Sequence, residues 1–326
     1  MDKRLLLHTT VYSTAFSLCG TYVAAATNFG HIAVFNVQEA VASHGAESTP
    51  CFTFLAHSGP IHSLVTAGKY LFSAGDGPIT AWKWADVINR KPTKAFTLKD
   101  PQLLENESYN CVRYSNKDNC IFAGGDDGIT YKWDINTMKC KGRFSGHKDY
   151  IHDLAINSNN LVSASEDGTV KTWDIRSASC TSTITPHKNK QLARPETGHF
   201  MSCVAVDENG EWLACGGGPH ASLWHLRSKS MAGILQTSNT NYISHRIMFY
   251  SDEIISVGNQ PAVYRWSVNG EKKAEIPCSI NRIFSISFQH GPGHSSEQLP
   301  MVTAGNSYKL SMFTNLGYEG KRLSFV

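Results

Sequence analysis

The chain has 326 residues, 41% of them hydrophobic and 17% charged, with a formal net charge of +3 at pH 7. A chain near this length buries roughly 75% of the surface its unfolded form exposes, so it needs no disulfide or metal staple, and its hydrophobicity excludes intrinsic disorder. The small net charge argues against a surface that grips nucleic acid throughout, and no apolar run approaches the roughly 20 residues of a membrane span.

In chain order, the first feature is Lys3-Arg4 followed by Leu5–Leu7. The apolar run stops at His8, short of the 7–15 residues of a secretory signal core, so the sequon at Asn106 carries no expectation of glycosylation. Nine cysteines follow, Cys19, Cys51, Cys111, Cys120, Cys140, Cys180, Cys203, Cys215 and Cys278. The odd count and the lack of any CxxC pair predict reduced thiols in a cytosolic or nuclear protein, not a disulfide framework or a structural zinc.

The chain repeats. LFSAGDGPITAWKWA, IFAGGDDGITYKWDI and LVSASEDGTVKTWDIR each read as a strand, a tight Asp-Gly turn and a second alternating strand. In all three an aromatic follows the turn aspartate by six residues: Asp76 to Trp82, Asp127 to Trp133, Asp167 to Trp173. Weaker copies place Phe35, Trp224, Trp266 and Phe313 at the same point. The seven aromatics recur at a mean of about 46 residues, near the length of a four-stranded propeller blade.

Each unit has a strand before this pair and most have one after, as in Ile151–Ile156, Leu161–Ser165, Thr169–Ile175 and Cys180–Ile184. Helical periodicity is confined to about Gln38–Ser43 and the first few residues. The expectation is an all-β, single-domain protein over residues 1–326, a seven-bladed propeller of four-stranded antiparallel blades. Either Lys321–Val326 or Lys3–His8 would supply the outer strand of the seventh blade.

Gly146-His147, Trp173-Asp174 and Trp133-Asp134 carry a resemblance to WD-repeat proteins. That family uses His, Ser, Asp and Trp as a buried hydrogen-bonded tetrad. The resemblance assigns the roles to His57, Ser73, Asp76 and Trp82 in the second unit and to His147, Ser163, Asp167 and Trp173 in the fourth. The competing reading, a Ser-His-Asp catalytic triad, lacks the GxSxG frame of a nucleophile elbow.

The segments SAGDGPITAWKWA, GHKDYIHDLA, CGGGPHASLWHLRS and TAGNSYKLSMFTNLGY are similar to the family of the sixth subunit of the THO complex, with matches from about Ala15 to Tyr318. The loops Gln38–Pro50 and His290–Pro300 are generic. This resemblance implies a non-catalytic nuclear subunit in an assembly that couples transcription and messenger RNA processing to export. It implies docking of the other THO subunits, notably the coiled-coil pair of subunits five and seven, and at most indirect or weak RNA contact. No cofactor, membrane or small-molecule substrate is implied.

Other constellations were weighed. Gly68-Lys69 and Gly320-Lys321 lie in no phosphate-loop frame. The histidine pairs His57/His62, His147/His152 and His220/His225 lack an accompanying carboxylate cluster for zinc. Pro186–Arg194, with His187, Lys188, Lys190 and Arg194, reads as a solvated loop or as a contact for an acidic partner or RNA phosphates. Asn89–Lys94 is too short for a nuclear import signal. Trp84, Tyr150 and Tyr318 are candidate partner anchors or core residues. Trp173-Asp174-Ile175-Arg176 is similar to the box by which some WD-repeat proteins dock to cullin-type ubiquitin ligase adaptors; alternatively, Arg176 merely follows the third strand. An enzyme using the central funnel has no motif behind it.

Overall fold

Alternating apolar residues bury one face of every strand, and Gly or Asn-rich turns reverse the chain between them. The computed structural model describes residues 6–43, 47–99, 108–157, 160–194, 198–217, 220–239, 241–289 and 300–325. Among these, seven antiparallel sheets of four consecutive strands form, the blade set of an all-β, seven-bladed propeller.

The first blade is Val11–Phe16, Tyr22–Thr27, His31–Asn36 and Phe52–Leu55; the second is Ile61–Ala67, Tyr70–Gly75, Ile79–Lys83 and Lys94–Leu98. The third is Tyr109–Ser115, Cys120–Gly125, Ile129–Asp134 and Cys140–Ser145; the fourth is Ile151–Asn157, Asn160–Ser165, Val170–Asp174 and Ser179–Ile184. The fifth is Cys203–Val206, Trp212–Gly216, Ala221–His225 and Ser230–Leu235; the sixth is Ser244–Tyr250, Glu253–Gly258, Ala262–Ser267 and Lys272–Pro277. The seventh is Ile283–Phe288, Met301–Gly305, Lys309–Phe313 and Lys321–Ser324.

The outer strand of the seventh blade therefore comes from the C-terminal segment, which pairs Leu310 with Leu323. Residues 3–5 of the N-terminal alternative lie outside the described residues. A two-residue strand, Glu47–Ser48, adds to this blade in parallel. The expected helix is present as α1 (Val37–Ala42), where the Asn36 side chain accepts from the backbone of Gln38 and Glu39. A second, unexpected helix is α2 (Trp84–Ile88).

The chain divides into two compact units: Met1–Tyr109 with Ile276–Val326, and Asn110–Glu275. In the first unit, blades one, two and seven pack face to face. Thr14 of the first blade bonds Ser285 and Ser287 of the seventh at 3.0 and 2.8 Å, which joins the two ends of the sequence. In the second unit, blades three to six pack in series. Its cores lie between neighbours: Phe122, Phe144, Leu154 and Trp173 between blades three and four, and Ala205, Leu223, Ile254 and Trp266 between five and six. Each large apolar side chain so buried contributes about 1.5–3 kcal/mol.

A register shift recurs in the first strand of five blades, at Tyr12, His62, His152, His245 and Phe284. A bulge re-aims its side chain off the sheet.

Candidate interaction site

The tight turns between the second and third strands are built by aspartate and glycine together. Asp167 Oδ1 accepts from the Thr169 backbone at 2.9 Å, and Asp127 Oδ1 from that of Ile129 at 2.9 Å. Gly168 and Gly128 hold φ at +78° and +75°, a conformation that other residues adopt only with strain.

In the fourth blade this turn feeds a closed polar chain. His147 Nδ1 donates to Asp167 Oδ2 at 2.8 Å, so its Nε2 is left as the acceptor for the Ser163 hydroxyl at 2.7 Å. Trp173 Nε1 donates to the same Ser163 oxygen at 2.8 Å. Burial pushes the Asp167 carboxyl upward, but the bonds from His147, Thr169 and the Lys148 backbone hold it well below the usual carboxylate range. Order and distances match a Ser-His-Asp relay. Yet Ser163 is 0% exposed and bonded on both sides, so it has no room to meet a substrate.

The second blade shares part of this chain. His57 Nε2 lies 2.7 Å from Ser73 Oγ, and Trp82 Nε1 donates to Ser73 at 2.9 Å. The Asp76 carboxylate turns elsewhere: it accepts from Ser108 at 3.2 Å and lies 3.9 Å from His62 Nε2. Burial lowers the His57 pKa, so its imidazole is neutral at pH 7.

The remaining named residues divide into enclosed and presented groups. Trp84, considered as a partner anchor, is buried: it sits in the core of blades one and two, and its Nε1 donates to Thr66 Oγ1 at 3.3 Å. Its place at the start of α2 turns the indole inward, which removes it as an anchor. Tyr150 and Tyr318 are 50% and 62% exposed. Lys188 and Lys190 are exposed, whereas Arg194 folds back, its Nη2 donating to the Phe200 carbonyl at 2.7 Å and its guanidinium 4.2 Å above the Phe200 ring.

Of the Trp-Asp-x-Arg element, Trp173 is core. Asp174 Oδ1 caps the next turn through the backbone of Arg176 at 3.0 Å and Ser177 at 2.8 Å, and only Arg176 is exposed. His62 and His152 sit on bulges, and His152 Nε2 reaches Glu166 at 2.7 Å. His225 bonds Ser228 at 2.8 Å. Among the described residues no group of three or more His, Cys, Asp or Glu is arranged to hold a metal ion. Of the Gly216–Pro219 stretch, Gly218 and Pro219 lie outside the described residues. A Cβ on Gly216 would come within 2.7 Å of Ser244 Cβ, so close packing of blades accounts for that glycine.

Two arrangements had no signal in the motifs. Asp153, on the inner strand of the fourth blade, takes Arg113 from the third blade and Arg246 from the sixth on the same oxygen, the latter at 2.6 Å. Tyr12, His62 and Phe284 form a ring array with centroids 5.5 and 5.7 Å apart. The five-residue offset from His57 to His62 and from His147 to His152 marked this bulge position, but nothing in it said where the side chain would point.

Residues 138–174 match the WD40 family model, described as WD domain, G-beta repeat. Over 98% of its length the chain is 37% identical to the THO complex subunit 6 homolog of Danio rerio, covering 98% of that protein. It is 36% identical to human THO complex subunit 6, covering 94% of that protein. It is 29% identical over 290 residues to the Drosophila melanogaster protein of the same name.

Proposed function

The chain belongs to the THO complex subunit 6 family, and on that premise we propose that it is a non-catalytic scaffold subunit of a nuclear THO assembly. It supports messenger RNA processing and export by docking other THO subunits, the coiled-coil pair of subunits five and seven among them. The observation that carries this reading is end-to-end similarity to relatives of that name. The buried state of Ser163 and His147 supports a role without chemistry, because the fourth-blade Ser-His-Asp relay is internal to its blade.

Docking then falls to side chains that the blades present, with Tyr150 and Tyr318 as aromatic anchors. Such an interface commonly buries about 800 Å² on each partner. The test is affinity purification of the tagged chain from nuclear extract, with mass spectrometry of the bound proteins. Co-purification of THO subunits is the expected result, and their absence from an extract that contains them overturns the reading.

Exposure of Arg176 keeps a second reading open to test, substrate reception for a cullin-type ubiquitin ligase. With Trp173 and Asp174 engaged inside the blade, Arg176 alone would meet the adaptor. Arg176→Ala should then abolish adaptor recovery, and unchanged recovery removes this reading.

A further inference from the structure

Residues 186–194 and 198–201, between the fourth and fifth blades, border a crevice with a floor of Leu192 and Met201 and a polar lining of His187, Arg194, His199, His220 and Ser222. The polar groups are one guanidinium, three imidazoles and the Ser222 hydroxyl, which already accepts from Trp224 Nε1, and among the described residues no carboxylate lines the crevice. Arg194 Nη1 and His220 Nδ1 are enclosed yet have no hydrogen-bond partner. Enclosed polar atoms are nearly always paired, so two unpaired nitrogen sites in one crevice call for an acceptor from outside.

The lining is fixed in place. His187 and His199 stack with ring centroids 4.4 Å apart. His187 Nδ1 lies 3.3 Å from the Gly168 carbonyl, which can only accept, so this nitrogen carries the proton and Nε2 of the neutral ring is an acceptor, suited to the P–OH of a phosphate monoanion. A Cβ on Gly168 would stand 2.9 Å from His199 Cβ and 3.0 Å from His187 Nδ1, so the Asp-Gly turn of the fourth blade makes room for both rings. Of the described carboxylates on the fourth-blade turn, Glu166 bonds His152 and Asp167 bonds His147 and Thr169.

We propose that this crevice receives one phosphate monoester group carried by a protein partner. A terminal phosphate offers three acceptor oxygens to the unpaired Arg194 Nη1 and His220 Nδ1, and the bond from the guanidinium is charge-assisted. The buried floor of Leu192 and Met201 closes the inner side. Beside the mouth, Phe200 stands between Arg194 and His152, its ring centroid 6.5 Å from that of His152. It gives the flanking peptide an apolar surface, with Lys188 and Lys190 exposed on the same link.

The test uses the full chain and fluorescence anisotropy with a labelled Gly-Gly-phosphoserine-Gly-Gly peptide, its unphosphorylated twin and a ten-nucleotide uridine RNA. The phosphopeptide should bind at least about tenfold more tightly than its twin and be displaced by inorganic phosphate. Arg194→Gln and His220→Gln should each weaken it about tenfold without lowering the melting temperature. If Arg194→Gln melts early, His187→Gln carries the same test at a position with less buried structure around it. Equal affinity for the two peptides overturns the proposal. So does RNA binding that Arg194→Gln weakens while the phosphopeptide stays unbound, which would make the crevice a nucleic-acid contact.

Discussion

Trp133 of the third blade has an indole N–H with no acceptor although the side chain is 1% exposed. Strand register explains the omission. Trp173 stands opposite Leu161 and bonds Ser163, two residues on; Trp82 stands opposite Leu71 and bonds Ser73; Trp266 stands opposite Ile254 and bonds Ser256. Trp133 stands opposite Ile121, and two residues on is Ala123. In the first blade Ala25 holds the same position, but the aromatic there is Phe35, which has no donor. Ala123→Ser should therefore supply the missing acceptor. The net gain from one such bond is about 0.5–1.5 kcal/mol. With an unfolding entropy near 2.1 cal/mol/K per residue, 1 kcal/mol raises the melting temperature of this chain by about 1.5 °C. Urea unfolding monitored by tryptophan fluorescence would measure the gain, and a double-mutant cycle with Trp133→Phe would assign it. In the Trp133→Phe background the benefit of Ala123→Ser should vanish and become a cost, because the hydroxyl then has no indole to receive. Equal stabilisation in both backgrounds refutes the reasoning.

Asp153→Asn should be much more damaging, about 3–5 kcal/mol by urea unfolding, since it leaves the Arg113 and Arg246 guanidiniums, 20% and 26% exposed, beside each other without a counter-charge. Adding Arg246→Met to that variant should recover part of the loss; no recovery contradicts the charge argument. Stability should fall on the acid side from about pH 6.5, the ordinary histidine value, because burial lowers the His57 pKa and the unfolded chain takes up the proton first. A second fall should begin below about pH 4, as Asp167, also held low when folded, is protonated. On the alkaline side, burial pushes the Cys111, Cys203 and Cys215 thiols up to about 12, so the folded chain keeps protons the unfolded one releases and stability is lost from about pH 9 upward. A melting-temperature profile that is flat from pH 5 to pH 10 would contradict both signs. In native labelling with a thiol reagent, Cys19 should react first: it is exposed, and bonds from the Ser17 and Thr21 side chains lower its pKa. Cys111, Cys203 and Cys215 should label only on unfolding, which peptide mapping would check.

The blades were legible because the Asp-Gly turn and the aromatic six residues later are local. They fix a hairpin without reference to the rest of the chain in three units, and the aromatic recurring in all seven fixes the count. What happens at Asp76 was legible only in part: it precedes Trp82 by six residues as Asp167 precedes Trp173, but it follows Ser73 by three where Asp167 follows Ser163 by four. Ser108, 32 residues away, and His62, re-aimed by a bulge, compete for that carboxylate, and neither is visible in the repeat pattern. Trp84 was ambiguous for a similar reason. It follows the Trp82 repeat position by two residues, where strand alternation places it on the same face, and only the turn into α2 decides that it joins the core. Arg113, Asp153 and Arg246 gave no sequence signal, since partners 40 and 93 residues apart share no motif.

Repetition also limits where a partner can be recognised. A protein that must dock in one orientation gains nothing from features copied in every blade, and the feature copied here in all seven, the strand-three aromatic, is spent inside the sheets. The fourth blade shows the division most clearly: Trp173, Ser163 and His147 are internal, while Tyr150, His152 and Glu166 face outward around the same turn. The link that follows adds His187, Arg194 and His199. Specific docking by this chain should therefore track the junction of blades four and five and the segment around Tyr318, where the sequence departs from its own repeat.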